Sequence, residues 1–211
     1  KGFLAIVAGL VVILTAQLML SGSMPFFEAL THTAFNVTSV ITTTGYASSD
    51  YTLWGEFSIA LFFIVTFIGG CSGSTAGGMK IFRFQLSFSF LLDQFRNLVH
   101  PRGVFAIHYN GKLVHDDIIF SAIAFSFMFF LALAVTTLLL TAIGVDFVTS
   151  FTGAATVLTD VGPGLGDIIG PAGSFRPLPD IAKWVLSFAM ILGRLELLTV
   201  IVLFSPVFWK G

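Results

Sequence analysis

The chain has 211 residues, of which 56% are hydrophobic and only 10% are charged, and its mean hydropathy is +0.97. Soluble domains carry about a quarter charged residues, so this composition excludes an ordinary soluble domain and indicates a membrane protein. The formal net charge of −1 is uninformative, and the few basic residues form no basic helical stripe, so nothing suggests nucleic-acid binding. The single cysteine, Cys71, excludes an internal disulfide framework.

Four segments are apolar enough to cross a bilayer, which takes about 20 residues. They run from Phe3 to Leu20, from Leu53 to Ile68 with a continuation to about Leu98, from Ile118 to Ile143, and from Ile181 to Phe204. Two shorter apolar stretches, 26–41 and 147–158, cannot span a bilayer and are typical of re-entrant or core helices. The sequence therefore predicts an all-α polytopic protein that spans the lipid bilayer.

Basic residues predict the orientation, because cytoplasmic loops carry an excess of Lys and Arg. Five of them fall between the second and third spans: Lys80, Arg83, Arg96, Arg102 and Lys112. The stretch 21–52 contains none, and 144–179 contains only Arg176. Residues of about 80–117 are therefore expected in the cytoplasm. Within them, Asn110-Gly111 flanked by alternating apolar residues predicts a small β-hairpin.

The chain repeats itself. Placing Gly45 over Gly162 also places Val40 over Val157 and Thr42 over Thr159. These identities are few, but the order span, short helix, Thr/Gly turn, span occurs twice, which is the stronger signal. Each repeat is therefore predicted to be a helix, a re-entrant helix, a loop and a second helix.

Both Thr/Gly turns are expected to line a pore. Non-helical backbone at membrane depth must be buried in protein or face water. A short helix that ends there favours a cation through its negative C-terminal end, and extended residues beyond it can offer carbonyl oxygens. Gly45 and Gly162 suit such a backbone. The alternative is a type II turn, where glycine is equally common; two such turns at matching positions favour the pore.

Several motifs together resemble a known family. TTTGY (42–46) resembles the T-V-G-Y-G filter of potassium channels, and TDVGPG (159–164) is a divergent version of it. With GGCSGSTAGGMKIFR (69–83) and MILGRLELL (190–198), the chain resembles the Trk/Ktr/HKT superfamily of potassium transporters, and within it the C-terminal half of a bacterial Trk-type uptake protein. That resemblance implies four repeats around one central pore, of which this chain has the third and fourth.

The resemblance also implies a K+ selectivity filter, with K+ as the permeant ion and no covalently bound cofactor. Its residues would be Thr43, Thr44, Gly45, Tyr46, Asp160, Val161, Gly162 and Pro163. The K+ ligands among them would be Thr43, Thr44, Asp160 and Val161. Asp160 and Pro163 depart from the channel consensus. The Asp160 side chain could attract cations or brace the loop by accepting backbone N–H bonds.

The segment 69–78 has five glycines in ten residues. Each glycine costs a helix interior about 1 kcal/mol, so a break in the second span is expected. Broken membrane helices often face an ion path; the alternative is a kink packed closely against another helix. The resemblance implies that this loop obstructs the pore below the filter.

Arg194 is expected deep in the last span. It lies 14 residues after Asp180, about 21 Å along a helix. The same count from Leu53 reaches Phe67, beside the glycine-rich break. An intramembrane Arg costs at least about 2.5 kcal/mol, so it should face protein or water, unless it snorkels to the cytoplasmic interface. Our hypothesis is a closed gate made of Gly69, Gly70, Cys71, Ser72, Gly73, Ser74, Thr75, Ala76, Gly77, Gly78, Met79 and Arg194.

Three parts follow from these interpretations. Residues 1–98 form the third-type repeat, 99–117 a cytoplasmic linker, and 118–211 the fourth-type repeat. The resemblance implies a bacterial inner membrane, with the filter loops facing the periplasm. It also implies three partners: the missing N-terminal half, a second copy in a homodimer, and a cytosolic nucleotide-binding regulatory ring. The start at Lys1, without a Met or a signal-peptide pattern, fits the expectation that the chain is a fragment.

Other functions were weighed. GCSG (70–73) fits the G-x-S-G of rhomboid proteases, but no later span carries the histidine that would activate the serine. GLGD (164–167) fits intramembrane aspartyl proteases, but no span carries a second aspartate in its interior. We therefore expect no enzyme. The main alternative is a tandem-pore K+/Na+ cation channel without a loop gate. His32 receives no role, and the sequon at Asn36 is expected to be buried.

Overall fold

The computed structural model describes residues 2–71, 73–74, 76–100, 108–109, 112–195, 202 and 208–209. Its elements are α1 (Gly2–Leu20), α2 (Phe26–Ile41), α3 (Glu56–Phe67), β1 (Ile68–Gly69), β2 (Met79–Lys80), α4 (Ile81–Val99), β3 (His108–Tyr109), β4 (Lys112–Leu113), α5 (Asp116–Ala142), α6 (Phe147–Leu158) and α7 (Asp180–Arg194). The short helices α2 and α6 have the bounds that the sequence predicts for the re-entrant stretches.

The first repeat packs α1 and α3 around α2. Its buried core includes Leu14 and Leu18 of α1 and Val37 and Ile41 of α2. The hydroxyls of Thr15 and Thr33 form a buried hydrogen bond of 2.7 Å between α1 and α2. The buried polar pair favours this relative position of the two helices, because the Thr15 hydroxyl would lose its partner if they slid apart.

The second span begins later than the sequence predicts. Leu53 lies in a short 3-10 helix, Tyr51–Trp54, whose first turn is capped by the Asp50 carboxylate. Gly55, with φ of 103°, separates this turn from α3, which begins at Glu56. Tyr51 stacks on Phe62 of α3 with ring centroids 4.0 Å apart, so the short helix lies folded against the span instead of extending it.

A non-helical segment follows α3. The strand Ile68–Gly69 pairs in parallel with Met79–Lys80, after which α4 begins. Two paired strands this close in sequence require the residues between them to form a compact loop. An added Cβ on Gly69 would overlap the carbonyl oxygen of Gly77, so the two ends of the loop are in direct contact.

The second repeat packs α6 between α5 and α7. Its core includes Phe129 and Leu133 of α5, Ala154 and Leu158 of α6, and Ala182 of α7. The predicted last span is helical up to Arg194, and most of its remainder lies outside the described residues. In the linker, β3 and β4 pair antiparallel with Tyr109 opposite Lys112; Asn110 and Gly111, on which the hairpin prediction rests, are not described.

Two described helices are long and apolar enough to cross a membrane, α1 and residues 117–142 of α5. Helix α3 is shorter because the loop interrupts it, and only 15 residues of α7 are described. Many large apolar side chains point away from the core, among them Leu4, Phe127, Leu138 and Trp184. This apolar exterior is suited to contact with lipid or with further protein, because exposing apolar surface to water is unfavourable.

Candidate functional site

The turns that follow α2 and α6 have the same backbone conformation. Thr43 has φ of 55° and Asp160 has φ of 56°, at the first position after each helix cap. Two residues further on, Gly45 has φ of 80° and Gly162 has φ of 113°. These residues pair in the register that places Gly45 over Gly162, so the repeat seen in the sequence is also a repeat of backbone geometry.

The hydrogen bonds of the turns repeat in the same register. The N–H of Thr44 donates to the carbonyl of Ser39 at 2.8 Å, and the N–H of Val161 donates to the carbonyl of Thr156 at 3.0 Å. The preceding residue of each turn forms a second hydrogen bond. The N–H of Thr43 donates to the carbonyl of Val40, and the N–H of Asp160 donates to the carbonyl of Val157. This pair of bonds is the Schellman arrangement, which ends a helix and releases the chain in an extended direction.

Neither Thr43 nor Asp160 is the residue expected at its position. A Schellman turn places its left-handed residue where glycine is usual, because a Cβ there costs about 1–2 kcal/mol. Thr is the less tolerated of the two, since it is β-branched. Strain of this kind at two corresponding positions points to a function for the side chains.

The two extended strands that leave the turns are in contact. An added Cβ on Gly45 would overlap the carbonyl oxygen of Val161 and would lie 3.4 Å from Cδ of Pro163. An added Cβ on Gly162 would lie 3.8 Å from Cα of Gly45. The structure thus brings four of the predicted filter residues together, and it requires glycine at position 45 on both conformational and steric grounds.

Carbonyl groups along both strands remain available. Among the described residues, no backbone N–H donates a hydrogen bond to the carbonyls of residues 43–47 or 160–164. No cluster of three or more His, Cys, Asp or Glu is present among the described residues either, so a cation here would be held chiefly by backbone oxygens. The C-terminal ends of α2 and α6 add negative potential at the same place.

Thr44 and Tyr46 are two further predicted filter residues. The side chain of Thr44 forms a hydroxyl hydrogen bond of 2.8 Å with Thr42. The Tyr46 side chain is 74% exposed, so it does not pack behind its own strand. The His32 ring, to which the sequence assigned no role, has Nδ1 2.8 Å from the hydroxyl of Ser48.

One residue of the glycine-rich loop, Gly77, contacts both turns. The N–H of Gly77 donates to the Thr43 hydroxyl at 3.2 Å. An added Cβ on Gly77 would overlap the carbonyl oxygen of Thr159 and would lie 2.8 Å from Oδ2 of Asp160. That carboxylate oxygen is buried and has no hydrogen-bond partner among the described residues. The two strained side chains therefore face the same glycine of the loop.

Arg194 lies beside this loop, as the count along the two spans predicts. It lines a cavity of about 170 Å³ together with Gly77, Gly78 and Ser74. It also interacts electrostatically with Asp160. Helix α7 closely approaches the end of α6 at Gly193, because an added Cβ on Gly193 would overlap the carbonyl oxygen of Leu158.

Two further cationic side chains line the same cavity, at a position that was not predicted from the sequence. Lys80 and Arg83 were used only to predict orientation, yet both lie on its wall. The guanidinium carbon of Arg83 is 3.8 Å from the ring centroid of Phe125 on α5. Their positions in the sequence could have indicated that they lie near the loop, because both come within five residues after Gly78.

The other predicted loop residues divide into three groups. Met79 is buried in the core of the second repeat. An added Cβ on Gly70 would lie 2.8 Å from the Ser74 hydroxyl and 3.0 Å from Cβ of Ala76, so these residues pack on one another. Cys71 is exposed, Gly73 has open space around it, and Ser72 and Thr75 lie outside the described residues.

The chain is similar to known cation transport proteins. A family model described as "TrkH: Cation transport protein" matches residues 4–210. The chain is 52% identical over 210 residues to the Trk system potassium uptake protein TrkI of Halomonas elongata, covering 100% of this chain and 42% of that protein. It is 36% identical over 209 residues to TrkG of Escherichia coli, covering 99% of this chain and 42% of that protein.

A solved structure shares the fold. The crystal structure of the potassium transporter TrkH from Vibrio parahaemolyticus matches with a TM-score of 0.91 and 34% sequence identity, over 98% of this chain and 44% of that chain. This match confirms the predicted fold class, an all-α polytopic membrane protein with two helix–pore-loop–helix repeats. The chain spans less than half the length of the relatives it matches.

Proposed function

The chain belongs to the TrkH family of cation transport proteins, and on that basis we propose that it supplies two of the four repeats of a potassium uptake pore. The observation that carries the proposal is the pair of matching turns after α2 and α6. They offer unengaged carbonyls on two touching strands, beside two helix C-terminal ends. A dehydrated alkali cation needs such an oxygen lining.

In this proposal the filter of these two repeats is formed by the eight predicted residues. Thr43, Thr44, Asp160 and Val161 contribute oxygen ligands to the permeant K+. The close contact between Gly45 and Val161 supports the assignment, because adjacent filter strands must approach one another to surround an ion. Asp160 serves the inner end of the filter, where its carboxylate lies near the glycine-rich loop.

The same proposal gives the loop and Arg194 the role of a gate. Gly77 contacts both turns, so the loop lies across the inner end of the two strands. The Arg194 guanidinium and the neighbouring Lys80 and Arg83 place positive charge around the cavity beside the loop. Positive charge at this place repels a cation as long as the loop is docked, and undocking would open the path.

The protein as a whole is proposed to be a bacterial inner-membrane transporter. Residues 1–98 and 118–211 would be its third and fourth repeats, with the linker 99–117 in the cytoplasm and the filter loops facing the periplasm. The N-terminal half would complete the ring of four strands. A second copy would form a homodimer, and a cytosolic nucleotide-binding ring would regulate it. The lengths of the relatives support the missing half.

Flux measurements test this function. The polypeptide that carries this chain with its N-terminal half is reconstituted in vesicles, and K+ uptake is followed down a K+ gradient. We expect saturable K+ flux from this protein and none from residues 1–211 alone. Absence of K+ flux from the longer protein would refute the proposal. Robust flux from residues 1–211 alone would instead favour a tandem-pore cation channel.

A further inference from the structure

Each filter strand has a second attachment at its outer end. In the first repeat the N–H of Ser48 donates to Oδ1 of Asn36 at 2.9 Å. In the second repeat the N–H of Leu165 donates to Oγ1 of Thr152 at 3.2 Å. Ser48 and Leu165 correspond in the register that places Gly45 over Gly162. The same peptide N–H is therefore bound to a side chain of the preceding short helix in both repeats.

The two acceptors occupy different positions of their helices. Asn36 corresponds to Gly153, which has no side chain, and Thr152 corresponds to Phe35, which has no acceptor. Each repeat thus reaches the same N–H from a neighbouring helical position and with a different chemical group. The two repeats therefore share the hydrogen bond to this N–H, although they share neither the acceptor residue nor its position in the helix.

Both acceptor side chains are buried, at 0% exposure for Asn36 and 7% for Thr152. The Nδ2 group of Asn36 has no hydrogen-bond partner among the described residues. A buried amide with an unpartnered donor is unfavourable, and an apolar residue of similar size would avoid that penalty. The hydrogen bond that Oδ1 of Asn36 accepts from the Ser48 N–H therefore offsets the free-energy cost of burying this amide.

The attachments define the length of strand that faces the ion. The inner end is held where Thr44 and Val161 bond to the last turn of each helix, and the outer end is held at Ser48 and Leu165. The carbonyls between these points accept no hydrogen bond from a backbone N–H of the described residues. The positions of these carbonyls therefore depend on the two ends of the strand, which are held by hydrogen bonds.

We propose that Asn36 and Thr152 are positioning residues that set the discrimination between K+ and Na+. The proposal rests on the proposed function of the strands as a filter. A carbonyl lining distinguishes the two ions through the number and spacing of its oxygens. Releasing the outer end of a strand lets its carbonyls move inward toward the smaller Na+, whereas K+ requires the wider spacing that the attached strand maintains.

The test in the second repeat uses Thr152→Val, which keeps the side-chain shape and removes the acceptor. The ratio of K+ to Na+ flux is measured in vesicles with the complete protein. Loss of one hydrogen bond corresponds to about a two- to tenfold change in an equilibrium, so we expect the ratio to fall by about that factor. Thr152→Ser keeps the hydroxyl and should keep the ratio.

Thr137→Val is the matched control. Thr137 lies on α5, is 6% exposed, and donates its hydroxyl to the carbonyl four residues earlier at 2.8 Å. The Thr152 hydroxyl makes the same kind of bond to Val148, also at 2.8 Å. The two Val variants therefore lose equivalent helix contacts, and only Thr152→Val loses the attachment of the strand.

A second pair of variants tests the first repeat if Thr152→Val does not fold. Asn36→Leu removes the acceptor. Ser48→Ala keeps the N–H bond of 2.9 Å to Oδ1 of Asn36 and removes the hydroxyl, which lies 3.5 Å from the same Oδ1 and 2.8 Å from Nδ1 of His32. We expect a lower K+/Na+ ratio from Asn36→Leu and an unchanged ratio from Ser48→Ala. Size-exclusion chromatography identifies which variants are folded.

The possible results separate the two proposals. Folded Asn36→Leu and Thr152→Val proteins that carry less of both ions in the same ratio would overturn the positioning role, because a general structural defect predicts that outcome. An unchanged ratio and flux would overturn it as well. If the unsubstituted protein carries no K+, the proposed function itself fails, which is a different result.

Discussion

Thr43 and Asp160 hold the same left-handed backbone conformation, with φ of 55° and 56°, and both face Gly77. The Thr43 hydroxyl accepts the Gly77 N–H, and Oδ2 of Asp160 lies where a side chain on Gly77 would project. One loop residue thus contacts the turns of both repeats. In the proposed function, this contact links the state of the loop to the inner end of the filter.

The contact between the two strands predicts that Gly45→Ala strongly reduces K+ uptake. Its Cβ would overlap the Val161 carbonyl oxygen, and backbone must move to relieve the overlap. We expect the initial rate of K+ uptake by the complete protein to fall at least about tenfold, since the displaced carbonyl is a proposed lining group. Uptake into vesicles at saturating K+ measures this rate.

Gly22→Ala is the control for backbone strain alone. Gly22 has φ of 67° and lies in the turn between α1 and α2, with nothing within 4 Å of an added Cβ. This variant should lose about 1 kcal/mol of stability and keep most of its uptake. If both variants reduce uptake equally, strain and not strand contact explains the loss.

The docking of the loop predicts that Gly77→Ala raises cation flux through the closed protein. Its Cβ has no room against Thr159 and Asp160, so the loop must withdraw from the turns. Gly73→Ala is a control in the same loop, because an added Cβ there meets no described atom within 4 Å and only the φ of 86° opposes the substitution. We expect flux measured without the proposed regulatory ring to rise several-fold for Gly77→Ala only. A decrease for Gly77→Ala, with Gly73→Ala unchanged, would contradict the gating role.

Local features of the sequence predicted the two short helices and the positions of their turns. Each helix ends just before a Thr, and a Gly lies three residues after that Thr. These turn residues fixed the register in which the two repeats are compared. The start of α3 was wrong because Leu53 is as apolar as the helix that follows it. Only the conformation of Gly55 separates the two segments.

Contacts between distant segments could not be predicted in the same way. Gly77 was one of five glycines in the loop, and nothing in its local sequence shows that it contacts both turns. Asn36 was interpreted as a buried residue of a sequon, whereas its acceptor role depends on the path of the chain twelve residues later. Tertiary packing decides such contacts, and helical or strand periodicity does not report them.

The position of Arg194 predicts that Arg194→Ala increases cation flux. The substitution removes positive charge from a cavity that the docked loop shares, and it removes the electrostatic partner of Asp160. We expect a several-fold rise in the flux of the complete protein, measured as Rb+ uptake. Lys183→Ala is the control, since it removes a cation from the same helix at an ion pair with Asp180, 3.0 Å long and away from the cavity. Unchanged or lower flux from a folded Arg194→Ala protein would count against the gate.

The N-terminal cap of α6 predicts a pH-dependent contribution to stability. Oδ2 of Asp146 accepts the Thr149 N–H at 2.9 Å, and this hydrogen bond holds the pKa of the Asp146 carboxyl below its ordinary value. A folded-state pKa below the unfolded one means that the carboxylate stabilises the protein above the unfolded pKa of about 3.9. That stabilisation is lost as the pH falls through the folded-state pKa.

Asp146→Ala should therefore destabilise the protein by about 1 kcal/mol at pH 7, which is the usual effect of losing a cap. The difference from the unsubstituted protein should shrink as the pH is lowered toward 3, because protonation weakens the cap that the variant lacks. Asp146→Asn keeps an acceptor without a charge, so it should retain most of the stability and lose this pH dependence. Thermal unfolding of the purified protein in detergent at several pH values measures all three. A gap between the Ala variant and the unsubstituted protein that stays constant with pH would show that the charge of Asp146 contributes nothing to capping α6.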